Sequence, residues 1–145
     1  MAQESKVEYL VLDSSIIIKW FCDEEGTEKA LKIRKRYKEK EVVIVVPDLI
    51  LYEISNALRY NKEVSREEVM ECVQSIFSLG INIIVPTKEV LENAISLAFK
   101  YNISLYDAYF VALADILQFT FVTADKKLFN KLDRSQRIKL LDDMG

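Results

Sequence analysis

Four short runs are apolar on both faces: "VEYLVLD", "VVIVVP" (Val42–Pro47), "INIIVP" (Ile81–Pro86) and "FTFVTAD" (Phe119–Asp125). A strand with one solvated face alternates apolar and polar residues. A strand that is apolar throughout must be covered on both sides. Between these runs lie segments with helical spacing, over about 23–39, then "PDLILYEISNALRYN", "SREEVMECVQSIFSLG", "TKEVLENAISLAFKYN" and "SLYDAYFVALADILQ". Strands that alternate with helices and are buried on both faces imply an α/β, three-layer sandwich with a central, mainly parallel sheet of four to five strands. A last run, "IKLL" (Ile138–Leu141), is expected to add an edge strand.

Helix starts and stops are marked by residue chemistry. Ser65-x-x-Glu68 reads as a capping box, Thr87 and Ser104 as N-caps, and Gly80 as a stop. No repeat, linker or low-complexity tract interrupts the pattern, so residues 1–145 are expected to form a single domain, a size that buries a sizeable core.

Composition then removes whole classes of chemistry. The chain has no histidine, which excludes a Ser-His-Asp triad, a His-based acid–base ribonuclease and a His-built zinc site. Three glycines cannot form a glycine-rich phosphate loop. Cys22 and Cys72 lack CxxC spacing and read as reduced thiols. "MAQESKVEYL" has no signal-peptide pattern and no run reaches transmembrane length, so the expected compartment is the cytoplasm. The formal net charge is −3, so contact with a polyanion has to come from a local patch. Oxygen ligands and carboxylates remain for any catalysis.

Most acidic residues sit on solvated faces. Four do not. Asp13 and Asp125 end apolar strands, while Glu53 and Asp107 lie in helices with apolar neighbours three and four residues away and no basic partner among them. Each has an ordinary alternative. Asp13 and Asp125 fit N-caps, Asp107 fits the return arm of a capping box with Ser104, and Glu53 fits a narrow solvent stripe. Taken together they point elsewhere. Ligands in open α/β sheets bind beyond the carboxyl ends of the strands, where Asp13 and Asp125 fall. Two like charges ~4 Å apart repel by about 4 kcal/mol at an effective dielectric of 20, so protonation or a hard divalent cation, Mg²⁺ or Mn²⁺, must relieve a cluster of four.

The segments "VLDSSIIIKWF", "PDLILYEISNAL", "SLYDAYFVALA" and "FVTADKKL", in this order, resemble the four acidic motifs of PIN-domain ribonucleases, and most closely the VapC-like toxins of toxin–antitoxin pairs. The resemblance spans nearly the whole chain. It implies Asp13, Glu53, Asp107 and Asp125 as catalytic and metal-holding acids, with Ser15, Thr123 and Asn56 as accessory polar groups. It also implies a Mg²⁺- or Mn²⁺-dependent endoribonuclease, a homodimer, and a small antitoxin partner. An RNA-processing PIN nuclease and a non-catalytic RNA- or protein-binding domain are the alternatives. One departure is Gln118–Phe119, where such proteins often have a small residue.

Two basic stretches are candidates for RNA contact. "KALKIRKRYKEK" (Lys29–Lys40) carries seven basic residues and Tyr37, whose ring is suited to stacking a base, although a solvated helix face is the commoner outcome. Lys126, Lys127 and Lys131 follow Asp125 directly.

Overall fold

A computed structural model describes residues 6–134 and 136–145. Met1–Ser5, part of the segment read for a leader, lies outside the described residues. Five strands form one sheet: β1 (Glu8–Leu12), β2 (Val42–Pro47), β3 (Asn82–Ile84), β4 (Thr120–Thr123) and β5 (Ile138–Leu140). Their order is β3-β2-β1-β4-β5, and every pairing is parallel. The expected fold class is the observed one, with Ile138–Leu140 as the edge strand.

Seven α-helices connect the strands among the described residues: α1 (Ser14–Ile17), α2 (Thr27–Lys38), α3 (Leu49–Arg59), α4 (Arg66–Ser78), α5 (Lys88–Tyr101), α6 (Leu105–Leu117) and α7 (Lys126–Lys131). A 3₁₀ turn, Ile18–Trp20, prolongs α1. None is long and apolar enough to cross a membrane.

The middles of the central strands are sealed by apolar side chains: Leu10, Val11, Leu12, Ile44, Val46, Phe121 and Val122 are all buried. α6 is buried along its middle, from Ala108 to Ala114, which explains its nearly continuous apolar sequence. Trp20 is also core, its Nε1 donating to the Ala30 carbonyl at 2.9 Å.

Local chemistry sets the ends of the elements. Ser65 and Glu68 close a full capping box on α4, at 3.1 and 3.2 Å. Thr87 and Ser104 cap α5 and α6. Pro47 ends β2, and α3 begins two residues later. The helix expected from about residue 23 starts only at Thr27, because Gly26 takes φ +87° and turns the chain before it. The two thiols are free and half-buried. They come near enough for the charge of Cys22 to raise the pKa of Cys72, although burial is the larger cause.

The sheet order reverses direction at β1. The chain leaves β1 for β2 on one side and returns through α6 to β4 on the other, which makes the carboxyl ends of β1 and β4 a topological switch point. Backbone pairing joins Leu12 to Val122, and the Asp13 N–H donates to the Val122 carbonyl at 3.0 Å. This register sets Asp13 beside Thr123.

Gln118 makes the turn into β4 with φ +58°, a left-handed conformation that disfavours a residue with a Cβ. Replacing Gln118 with glycine removes that cost, partly offset by a more flexible unfolded chain. Chemical denaturation of Gln118→Gly is expected to show a gain of about 0.5–1 kcal/mol.

Candidate active site

Asp13 follows β1 and stands at the N-cap position of α1, yet its carboxylate makes no capping bond to that helix. The ordinary N-cap reading therefore fails for Asp13. The carboxylate is 6% exposed, and its Oδ2 accepts from Thr123 Oγ1 at 2.7 Å and from Ser15 Oγ at 3.0 Å. Both hydroxyls are themselves fixed. Thr123 Oγ1 accepts from the Asp125 N–H, and Ser15 Oγ accepts from the Ala124 N–H, each at 3.0 Å. The turn after β4 thus holds the hydroxyls, and the hydroxyls hold the acid. Thr123 is fully buried, so its side chain has no other use for its proton.

Ser14, which the sequence did not single out, joins the group. Its Oγ lies 3.1 Å from Glu53 Oε1 and 3.4 Å from Asp13 Oδ1. A hydroxyl has one proton to give, so Ser14 bridges the two carboxyls. The signal was the first hydroxyl in "DSS". At the first position of α1, a short helix packed against α3, it is carried toward Glu53.

Glu53 sits in the middle of α3, half-buried. Its pKa is raised from the ordinary 4.5 to about 7, chiefly by burial, with the Ser14 hydrogen bond opposing and the charges of Asp13 and Asp107 adding to the rise. Asp107 stands in the first turn of α6. Its N–H donates to Ser104 Oγ at 3.1 Å, but its carboxylate does not complete a capping box as Glu68 does on α4. Burial raises the Asp107 pKa, Asp13 and Asp125 raise it further, and Ser104 and Lys131 lower it. Asp13 is raised too, chiefly by burial, against the Thr123 and Ser15 hydrogen bonds.

Asp125 is exposed and does serve as an N-cap, its Oδ1 accepting from the Leu128 N–H at 3.0 Å. Its charge nonetheless reaches Asp13 and Asp107. Each of the four acids is therefore linked by charge to at least two of the others, although they come from four distant parts of the chain. Among the described residues, no three of them close on a common point as the side chains stand. Mutual repulsion between carboxylates accounts for that spacing.

Asn56, one turn after Glu53, forms no hydrogen bond to the acids. It lines a groove of about 710 Å³ together with Tyr52, Glu53, Arg59, Val69 and Tyr106. A smaller hollow of about 330 Å³ opens on the other flank, lined by Asp125, Lys126, Lys19 and Gly26. Of the four acids, Glu53 lines the groove and Asp125 the hollow.

The basic stretches behave differently from each other. In Lys29–Lys40, Arg36 pairs with Glu8 at 2.7 Å, Lys29 donates to the Asp142 carbonyl, and the half-buried Tyr37 gives its hydroxyl to the Leu79 carbonyl at 2.7 Å. Tyr37 is thus half-buried and tied down through its hydroxyl, which weighs against its serving as a stacking platform. Lys131 lies close enough to Asp107 to lower its pKa.

The PIN domain family matches residues 10–135, and this span contains all of these acids. The chain belongs to the PIN domain family. This PIN domain is similar to a ribonuclease VapC3 of Pyrobaculum aerophilum, 29% identical over 126 residues, which span 84% of this chain and 93% of that protein. A toxin–antitoxin complex of Klebsiella pneumoniae contains a chain of like fold, with TM-score 0.67 and 16% identity over 91% of this chain and 97% of that one. Mycobacterium tuberculosis VapC20, a sarcin–ricin-loop-cleaving toxin, gives 0.67 at 13% identity over 83% and 93%. At these identities the structural likeness shows the PIN fold alone.

A carboxyl whose pKa is higher in the folded chain holds its proton more tightly there, so stability falls as pH rises between the unfolded and folded values. For Glu53 that window runs from 4.5 to about 7. Without divalent cations, the melting temperature of this PIN domain is expected to drop across it. Glu53→Gln should flatten the drop and stabilise the chain above pH 7 by about 1–2 kcal/mol, less than the full shift implies because the carboxyl is partly solvated.

Proposed function

We propose that this chain is a metal-dependent endoribonuclease that hydrolyses RNA phosphodiester bonds, acting as the toxin of a toxin–antitoxin pair. In this reading residues 1–145 act as one catalytic domain. The protein works in the cytoplasm as a homodimer, and a small antitoxin protein silences it. The observation that carries the proposal is the convergence of Asp13, Glu53, Asp107 and Asp125 at the switch point, three of them with pKa values raised by burial and by each other. The VapC3 relative, named a ribonuclease, and the toxin–antitoxin structures of like fold support the activity and the partner.

The donor set fits Mg²⁺ or Mn²⁺. It offers hard carboxylate and hydroxyl oxygens, with no nearby histidine or thiol to favour a softer ion. Asp13, Asp107, Asp125 and Glu53 would hold the ion, after side-chain rotations that draw them together. When bound, such an ion activates water as a nucleophile and offsets charge on the attacked phosphate.

The remaining roles fall to the chain's own groups. Thr123 and Ser15 take up Oδ2 of Asp13, which fixes that carboxylate and leaves Oδ1 turned toward Ser14. Ser14 orients Glu53 through Oε1. In a chain without histidine, Glu53 is the group placed to hold a proton near neutral pH, and other protons pass to solvent. Asn56, in the groove beside Glu53, is placed to meet the substrate. Lys131 and Lys127 would meet phosphates of the bound strand.

Incubating the purified protein with single-stranded RNA should give cleavage with Mn²⁺ and none with EDTA. Asp107→Asn should lower the rate at least about a hundredfold, beyond what loss of a merely supporting group costs, with an unchanged melting temperature. Cleavage that continues in EDTA, or at full rate in the variant, rules the mechanism out.

A further inference from the structure

Two of the four acids are preceded by the same two residues. Leu51-Tyr52-Glu53 lies in α3 and Leu105-Tyr106-Asp107 opens α6. Successive side chains on a helix are turned by about 100°. When Glu53 and Asp107 face the cluster, the tyrosines before them are therefore carried to its flank. Both rings line the same groove of about 710 Å³, and both are largely open to solvent, Tyr52 at 70% and Tyr106 at 62%. Among the described residues neither ring stacks on another aromatic, and neither hydroxyl has a partner. Two exposed aromatics sharing one groove form a patch, which marks a contact surface better than a single exposed ring does.

The polar groups of the groove suit a nucleotide. Arg59, two turns beyond Tyr52, forms no ion pair among the described residues, and its guanidinium lies over the Tyr60 ring at 5.5 Å. It is the cation of a groove whose acid is the carboxyl of Glu53. Asn56, between Tyr52 and Arg59 on the helix, offers both a donor and an acceptor. Rings that stack bases, a guanidinium for phosphate and an amide for a base edge form the set used to hold unpaired nucleic acid strands. Further along α4 the surface becomes apolar, with Met70 and Phe77 exposed, and that stretch suits a protein segment better.

We propose that Tyr52 and Tyr106 form a base-stacking clamp for single-stranded RNA, with Arg59 as its phosphate contact and Asn56 reading a base edge. The inference rests on the nuclease reading of the adjoining acids, and it assigns the α3–α6 groove as the subsite that positions the strand beside them. Duplex RNA, whose bases are already stacked, is excluded from this clamp.

Fluorescence anisotropy of a labelled 12-nucleotide single-stranded RNA, measured with the full chain in EDTA so that nothing is cleaved, tests the clamp. Tyr52→Ala and Tyr106→Ala should each weaken binding roughly five- to a hundredfold. Tyr52→Phe and Tyr106→Phe should stay within about twofold of the unaltered chain, because the ring is kept. Arg59→Met should weaken binding and lower the slope of log affinity against log salt by about one. The exposed rings allow truncation without loss of fold, which melting curves check. Alanine variants that bind like the unaltered chain overturn the clamp. So do phenylalanine variants as weak as the alanine ones, or alanine variants that change only self-association in light scattering, which would give the groove to a protein partner. RNA cleavage with Mn²⁺ alongside tyrosine-independent binding removes the clamp and leaves the nuclease. Tyrosine-dependent binding without cleavage leaves the clamp and removes the nuclease.

Discussion

The pairing of β1 with β4 controls more of this molecule than any other contact. It aligns Leu12 with Val122 and so brings Asp13 beside Thr123, where a 2.7 Å hydrogen bond joins a nearly buried carboxylate to a fully buried hydroxyl. Side chains along a strand alternate between faces, so a slip of one residue would turn Thr123 away and leave Asp13 without its shortest partner. A buried carboxylate without hydrogen bonds is costly. The register that completes the sheet is therefore the same one that makes the acid tolerable. Ser15 adds the second bond and ties the acid to the loop after β4 through the Ala124 N–H. These bonds lower the pKa of Asp13, yet burial outweighs them and the net direction is upward. The site is supported, but it is not relaxed.

Much of this was legible in the sequence because its causes are local. Val42–Pro47 could be read to the residue, since it is apolar on both faces and ends at a proline. "INIIVP" was read too long because Val85 is as apolar as Ile84 but lies exposed beyond the sheet. The caps Ser65, Thr87 and Ser104 are set within one helical turn and were found. Asp107 was ambiguous for a physical reason. Its position after Ser104 fits a capping box, and only coordinates show that one arm of the box closes.

What the sequence hid was long-range. The link from Ser14 to Glu53 joins residues 39 apart, and no spacing rule predicts it. Tyr37 looked like a stacking residue because its neighbours are basic, but its ring is tucked against the chain near Leu79. Asp125 shows that the two readings of an acid need not exclude each other. It caps α7 through one oxygen and still acts on Asp13 and Asp107.

The placement of positive charge gives the strongest argument about what the cluster is for. Some acids elsewhere are paired with the chain's own cations, as Glu8 is with Arg36 at 2.7 Å and Glu24 with Lys19 at 3.0 Å. Among the described residues no lysine or arginine forms an ion pair with Asp13, Glu53, Asp107 or Asp125. Lys131 lowers the pKa of Asp107, but its ammonium group donates to the Asn102 carbonyl at 3.2 Å. A carboxylate cluster kept only for stability would gain from a basic partner, since an unpaired buried charge costs more than a paired one. Selection for stability alone does not produce four acids at the mouth of a sheet with no internal counter-charge. That supports the proposed reading, in which the cluster takes its positive charge from outside the chain and the empty state is the less stable one.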